Sequence, residues 1–96
     1  MAFLSPEYRI YVADTDVAGV VHHANYLRYF EAGRIEYLRS LGMPYIELQR
    51  QGMGFVPVHI DIHYKRPLRQ DDRYRISVSV LNLKRASLIM DQGIEC

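Results

Sequence analysis

Hydrophobic residues along this chain change their spacing twice, and the changes mark out its elements. Residues 7–13 alternate, with Tyr8, Ile10 and Val12 on one face and Arg9, Tyr11 and Ala13 on the other, which predicts a strand. A polar loop follows at Asp14-Thr15-Asp16-Val17-Ala18-Gly19, then Val20-Val21-His22-His23. From Ala24 to Leu41 the spacing lengthens to three and four. Leu27, Phe30, Arg34, Leu38 and Leu41 make one such row, and Tyr26, Tyr29, Phe30, Gly33 and Tyr37 another, so a helix with a wide apolar stripe is expected. Asn25 is its candidate N-cap; Arg39, Gly42 and Pro44 mark its end.

Pro44 can open a second short helix carrying Tyr45, Ile46 and Leu48, with Gly52 ending it. Alternation returns at 58–64, where Val58, Ile60, Ile62 and Tyr64 oppose His59, Asp61 and His63. Pro67 breaks that strand, and Gln70-Asp71-Asp72 makes a turn. A third strand carries Tyr74, Ile76, Val78 and Val80. A bend is expected at 82–86, and a fourth strand runs from Leu88 to Cys96. One strand, one long helix and then strands only is the order of an α+β fold with an antiparallel sheet. An 18-residue helix is about 27 Å long, which matches the length of eight- to ten-residue strands.

At 96 residues there is room for a single domain over 1–96, and 49% apolar with 24% charged residues is the balance of a folded chain. No apolar run approaches the roughly 20 residues of a membrane helix, and residues 1–7 lack the features of a secretory signal. Cys96 is the only cysteine, so no internal disulfide is expected, and the cytoplasm is the expected compartment. The net charge of +1 argues against nucleic acid as a partner. The last strand alternates up to Cys96 without a closing turn, so the fold is expected to be cut there or completed by something outside the chain.

The chemistry concentrates between Asp14 and Tyr26, where a carboxylate loop immediately precedes a helix start. Such a start offers backbone N–H groups and a partial positive charge. A carboxylate there can activate water or attack a carbonyl while the amides stabilise the oxyanion. The plainer reading makes Asp14 and Asp16 loop and cap residues. His59, Asp61 and His63 share a strand face with neighbours about 6–7 Å apart, so two could hold a metal ion, although a solvated face explains them as well. Lys84 and Arg85 beside Ser87, or Lys65 with Arg66, could grip phosphate; spacing alone favours a solvated bend.

The run Asp14-Thr15-Asp16-x-x-Gly19-Val20-Val21-x-His23-x-Asn25-Tyr26-x-x-x-Phe30-Glu31-x-x-Arg34 resembles the signature of the hotdog-fold acyl-CoA thioesterases. The branch it is most similar to contains 4-hydroxybenzoyl-CoA thioesterase and the thioesterase associated with the Tol-Pal system. Gly42-Met43-Pro44-Tyr45 and Tyr64-x-Arg66-Pro67-x-x-x-Asp71-Asp72 extend the likeness over nearly the whole chain. The resemblance implies a sheet wrapped around one central helix and hydrolysis of a small or medium acyl-CoA without metal or organic cofactor. It implies Asp16 as the catalytic carboxylate, nucleophile or general base, with the His23 backbone N–H polarising the thioester carbonyl and the His23 imidazole as a second possible contribution. Gly19, Val20, Val21, Asn25 and Tyr26 would hold the loop or line the substrate site, with Glu31 and Arg34 as helix partners near it. CoA phosphates would lie at Lys84, Arg85 and Ser87, and the sites would sit between subunits of a homodimer, often paired into a homotetramer. The family continues with a further strand, between the one ending near Cys96 and the one at 58–64. The chain is expected to be truncated relative to it, and the alternative function is a non-catalytic CoA-binding or oligomerising hotdog module.

Overall fold

The computed structural model describes residues 3–52, 54, 57, 59–61, 66–83 and 88–96. Two short strands, β1 (Phe3–Leu4) and β2 (Tyr8–Arg9), lead into a single 3-10 turn at Val12–Asp14. Helix α1 (Asn25–Ser40) and the six-residue α2 (Tyr45–Arg50) follow. Two long strands, β3 (Arg73–Leu83) and β4 (Leu88–Glu95), complete the described elements.

Strand β3 is the spine of an antiparallel sheet. Both β1 and β2 pair with it, at Phe3↔Val78 and Tyr8↔Tyr74, and β4 pairs with it from Arg75↔Glu95 to Leu83↔Leu88. The expected strand at 7–13 is therefore shorter than its alternation suggests, and the leading segment's pairing with β3 begins earlier, at Phe3. Ser5 joins the two halves. Its amide donates to the Ile76 carbonyl at 2.8 Å, and its hydroxyl accepts the Ile76 amide at 2.8 Å. Pro6 has no N–H to give the ladder, and the register slips by one residue between Leu4 and Tyr8. Past Ile10 the chain turns away because the Asp14 carboxylate accepts the Tyr11 amide at 3.0 Å and closes the 3-10 turn.

Helix α1 lies within one residue of its expected span. Ala24, with helical dihedrals, occupies the N-cap position and Asn25 is already inside, so Asn25 is not the cap expected; its side chain serves the preceding loop instead. Gly42, with φ of +80°, ends the helix in the left-handed region that glycine occupies at little cost. The buried face is mainly the tyrosine row, at Tyr26, Tyr29 and Gly33, joined by Leu38 of the other row, whose Leu27 and Leu41 are exposed. Tyr26 and Tyr29 form one core cluster with Tyr74, Ile76 and Val78 of β3 and with Ile10, Val21 and Leu68. Gly33 is where helix and sheet touch most closely, because a Cβ there would overlap the Ile76 side chain.

The third strand runs past the expected Val80, to Leu83, with an irregularity between Val80 and Asn82. Of the expected strand at 58–64, Val58 and residues 62–64 lie outside the described residues; His59, Ile60 and Asp61 are exposed and belong to no strand. The turn at 70–72 is present, with Asp71 at φ of 71° and the Asp72 carboxylate accepting the Arg69 amide at 2.8 Å.

Candidate active site

Residues 14–22 fold into a tight hairpin. The Asp16 amide donates to the Val20 carbonyl at 2.9 Å, the Gly19 amide donates to the Asp16 carbonyl at 3.0 Å, and Thr15 bridges Val21. Gly19 has a φ of +80°, which a side chain would strain. At the tip, one Asp16 carboxylate oxygen accepts the Ala18 amide at 2.9 Å. This local Asx turn fixes the orientation of the carboxylate, and Asp16 itself is exposed.

Two anchors hold the hairpin. On one side the Val21 amide donates to the Leu68 carbonyl at 2.8 Å, while the Tyr26 hydroxyl accepts the Leu68 amide at 3.0 Å. Val21 and Tyr26 are thereby core residues, and Val20 bridges Arg69. On the other side the Asp14 carbonyl accepts both the His22 amide, at 3.2 Å, and the Asn25 side-chain amide, at 2.9 Å. Asn25 thus ties the first residue of α1 to the base of the hairpin. His22 and His23 stack, with ring centroids 4.6 Å apart, in the exposed turn before the helix, and the His23 carbonyl accepts the Tyr26 amide at 3.3 Å. The loop carrying Asp16 and the positive end of α1 are one connected piece.

The Asp14 carboxylate is the most densely engaged acid of this region. It accepts the Tyr11 amide at 3.0 Å and Arg28 at 2.8 Å. Burial alone would raise its pKa; the Tyr11 amide, Arg28 and the nearby Tyr29 hydroxyl outweigh burial and hold it below the ordinary carboxylate value. Burial, reinforced by the Asp14 charge, pushes Tyr29 well above a normal phenol and Tyr74 up to about 12. The Tyr29 hydroxyl feels that carboxylate, yet among the described residues no partner stands in hydrogen-bonding geometry to it. Asp14, Arg28, Tyr8, Tyr29 and Tyr74 line a shallow cleft of about 530 Å³, and Asp16 does not line it.

Further along α1, Arg34 donates to the Gln92 side chain at 3.1 Å, and Gln92 donates to the Phe30 carbonyl at 2.9 Å, so Arg34 secures the helix to β4. Glu31 is exposed. Lys84, Arg85 and Ser87, the expected phosphate grip, lie outside the described residues, as do Lys65 and His63. Arg66 lines a groove of about 900 Å³ with Arg69, Arg73 and Arg75, where Glu7, Asp71, Asp72 and Glu95 match the four cations in formal charge. Among the described residues no three His, Cys, Asp or Glu side chains gather as a metal site, and no helix is long and apolar enough to cross a membrane.

The ion pair of Asp14 with Arg28 was not expected from the sequence. A signal for it exists: a cation in the first turn of a helix opposes the helix dipole and needs a carboxylate nearby.

An antiparallel sheet wrapped on one long helix, with a carboxylate hairpin joined to the helix start, defines the hotdog fold of acyl-CoA thioesterases. The chain belongs to the thioesterase-like superfamily, whose family model matches residues 10–96. It is 38% identical over 87 residues to the acyl-CoA thioesterase YbgC of Haemophilus influenzae, covering 90% of this chain and 64% of that one. It is 34% identical over 86 residues to the acyl-CoA thioester hydrolase YbgC of Escherichia coli, with the same 90% and 64% coverage. A probable thioesterase from Bartonella henselae, of known crystal structure, superposes with a TM-score of 0.89 at 38% identity, covering 99% of this chain and 77% of that one. The chain spans less than two thirds of the length of the curated relatives it matches, 64% of each YbgC protein.

Proposed function

We propose that this domain, residues 1–96, hydrolyses the thioester of a small or medium acyl-CoA in the cytoplasm, with Asp16 as the reacting carboxylate. The observation that carries the reading is the double anchorage of the Asp16 hairpin, to α1 through Asn25 and to residues 68–69 through Val20 and Val21. The loop that carries the carboxylate and the positive end of a helix are thereby held together, as hydrolysis of an activated acyl group requires. The Haemophilus and Escherichia relatives are named as acyl-CoA thioesterases, which supports the same substrate class here.

In the proposed reaction, the His23 backbone N–H polarises the thioester carbonyl. Asp16 then either attacks the carbonyl carbon, forming a mixed anhydride that water cleaves, or takes a proton from the water that attacks. In both routes the C–S bond breaks, the sulfur leaves as the CoA thiolate and is protonated, and the acyl group leaves as a carboxylate. Gly19 gives the loop its turn. Val20 and Asn25 border the substrate, and Val21 and Tyr26 hold the loop to the core. Lys84, Arg85 and Ser87 receive the CoA phosphates. Asp16 is exposed on one protomer, as are Val17 at the hairpin tip and Leu27 in the first turn of α1, and a second copy of the chain covers them in a dimer or tetramer.

The test is a panel of acyl-CoA thioesters of increasing chain length, with free thiol detected as the product. The proposal expects thiol release, weakened by salt and by the double change Lys84→Ala with Arg85→Ala. Binding of acyl-CoA without any thiol release overturns it in favour of a non-catalytic binding module.

A further inference from the structure

The proposed chemistry needs Asp16 but does not use Asp14, two residues before it, which carries more of the local bonding. The Asp14 carbonyl receives the His22 amide and the Asn25 side chain; its carboxylate receives the Tyr11 amide and Arg28. The end of the leading strand, both legs of the hairpin and the first turn of α1 therefore meet at one residue.

Arg28 is an unfavourable choice for its position. It lies in the first turn of α1, where the helix dipole penalises a cation by about 0.3–1 kcal/mol. Its guanidinium stays there bonded to Asp14 and stacked over the Tyr29 ring, 5.4 Å from the centroid. Global stability does not explain the arrangement. The Arg28 side chain is 63% exposed, and ion pairs with an exposed partner contribute little to folding. Asp14 is different, with a side chain only 15% exposed. The pair spans the junction between hairpin and helix, so its effect falls on the angle between them.

We infer that Asp14 and Arg28 are a positioning pair that fixes the Asp16 hairpin against the start of α1, an inference resting on Asp16 as the reacting carboxylate. A misplacement of about 1 Å at a reacting group can cost about a hundredfold in rate, so a locally weak contact acquires a kinetic role. The proposed reaction gives neither residue a bond to substrate. Both act through the hairpin.

The test compares Arg28→Met and Arg28→Lys with the parent, alone and combined with Asp16→Asn, and follows amide hydrogen exchange alongside kcat and KM. Arg28→Met is expected to lower kcat roughly 10- to 100-fold with KM within about threefold of the parent, and Arg28→Lys to restore part of that loss. Combined with Asp16→Asn, Arg28→Met is expected to cause no further loss beyond about twofold, because both changes spoil the same step. The His22 amide, bonded to Asp14, exchanges faster in Arg28→Met, while amides in the middle of α1 keep their protection. A kcat within about twofold of the parent with unchanged His22 exchange overturns the inference, as do losses that multiply in the double variant. If the parent releases thiol from no acyl-CoA, the functional reading fails by itself and exchange decides the pair. Faster His22 exchange in Arg28→Met then supports its hold on the hairpin, and unchanged exchange overturns it.

Discussion

Tyr29 shows how single groups pull in opposite directions in this protein. Its ring is core material, 5.1 Å from Tyr74 and edge-on to Tyr26 at 6.0 Å. Its hydroxyl, buried near Asp14, lacks a hydrogen-bond partner among the described residues. An orphaned polar group of this kind costs about 1–3 kcal/mol, whereas the ring contacts favour the fold. Tyr29→Phe removes the oxygen and keeps the ring, so urea unfolding should show stability unchanged or raised by up to about 1 kcal/mol. A loss of more than about 2 kcal/mol would mean that the hydroxyl is bonded after all. At this scale the polar loop that carries Asp16 was legible in the sequence because it stands in a long motif. The pairing of Asp14 with Arg28 was legible only as a cation near a helix start in want of a carboxylate, because a linear spacing of fourteen residues does not show that a 3-10 turn folds Asp14 back onto the helix.

Among the elements, α1 was the most legible: sixteen residues hold four turns of pattern, enough for periodicity to outweigh any single exception. Which of its two apolar rows is buried was not legible. The sheet takes the row containing Gly33, where the missing side chain lets helix and strand approach closely. Gly33→Ala should improve helix propensity by about 1 kcal/mol yet destabilise the protein by about 1–3 kcal/mol, since the new methyl group meets Ile76. Thermal unfolding checks the sign, and a raised Tm would show that the sheet yields easily. The leading strand was half legible. Its alternation over 7–13 is real, but the Tyr11 amide is taken by the Asp14 carboxylate, and Ser5 carries the pairing back to Phe3.

Across the whole molecule, the order of elements and the signature motif suffice for the family, and the tertiary assembly adds an electrostatic consequence. Tyr8, Tyr29 and Tyr74 are all raised above a normal phenol, chiefly by burial, with Tyr74 at about 12. In the unfolded chain these phenols ionise near 10. Their contribution is therefore complete below pH 10 and is lost as the pH rises from there through about 12, because the unfolded state releases its protons first. The urea midpoint should fall over that interval, and Tyr74→Phe should flatten the fall. A midpoint independent of pH up to 12 would contradict the buried tyrosine cluster.

The proposed chemistry depends above all on the side chain at position 16. With the best substrate of the acyl-CoA panel, Asp16→Asn keeps the size of the side chain and the oxygen that accepts the Ala18 amide, while removing the charge. It should lower kcat by about a hundredfold or more, with KM near that of the parent. Equal rates of thiol release from Asp16→Asn and the parent would contradict the claim that this carboxylate performs the reaction.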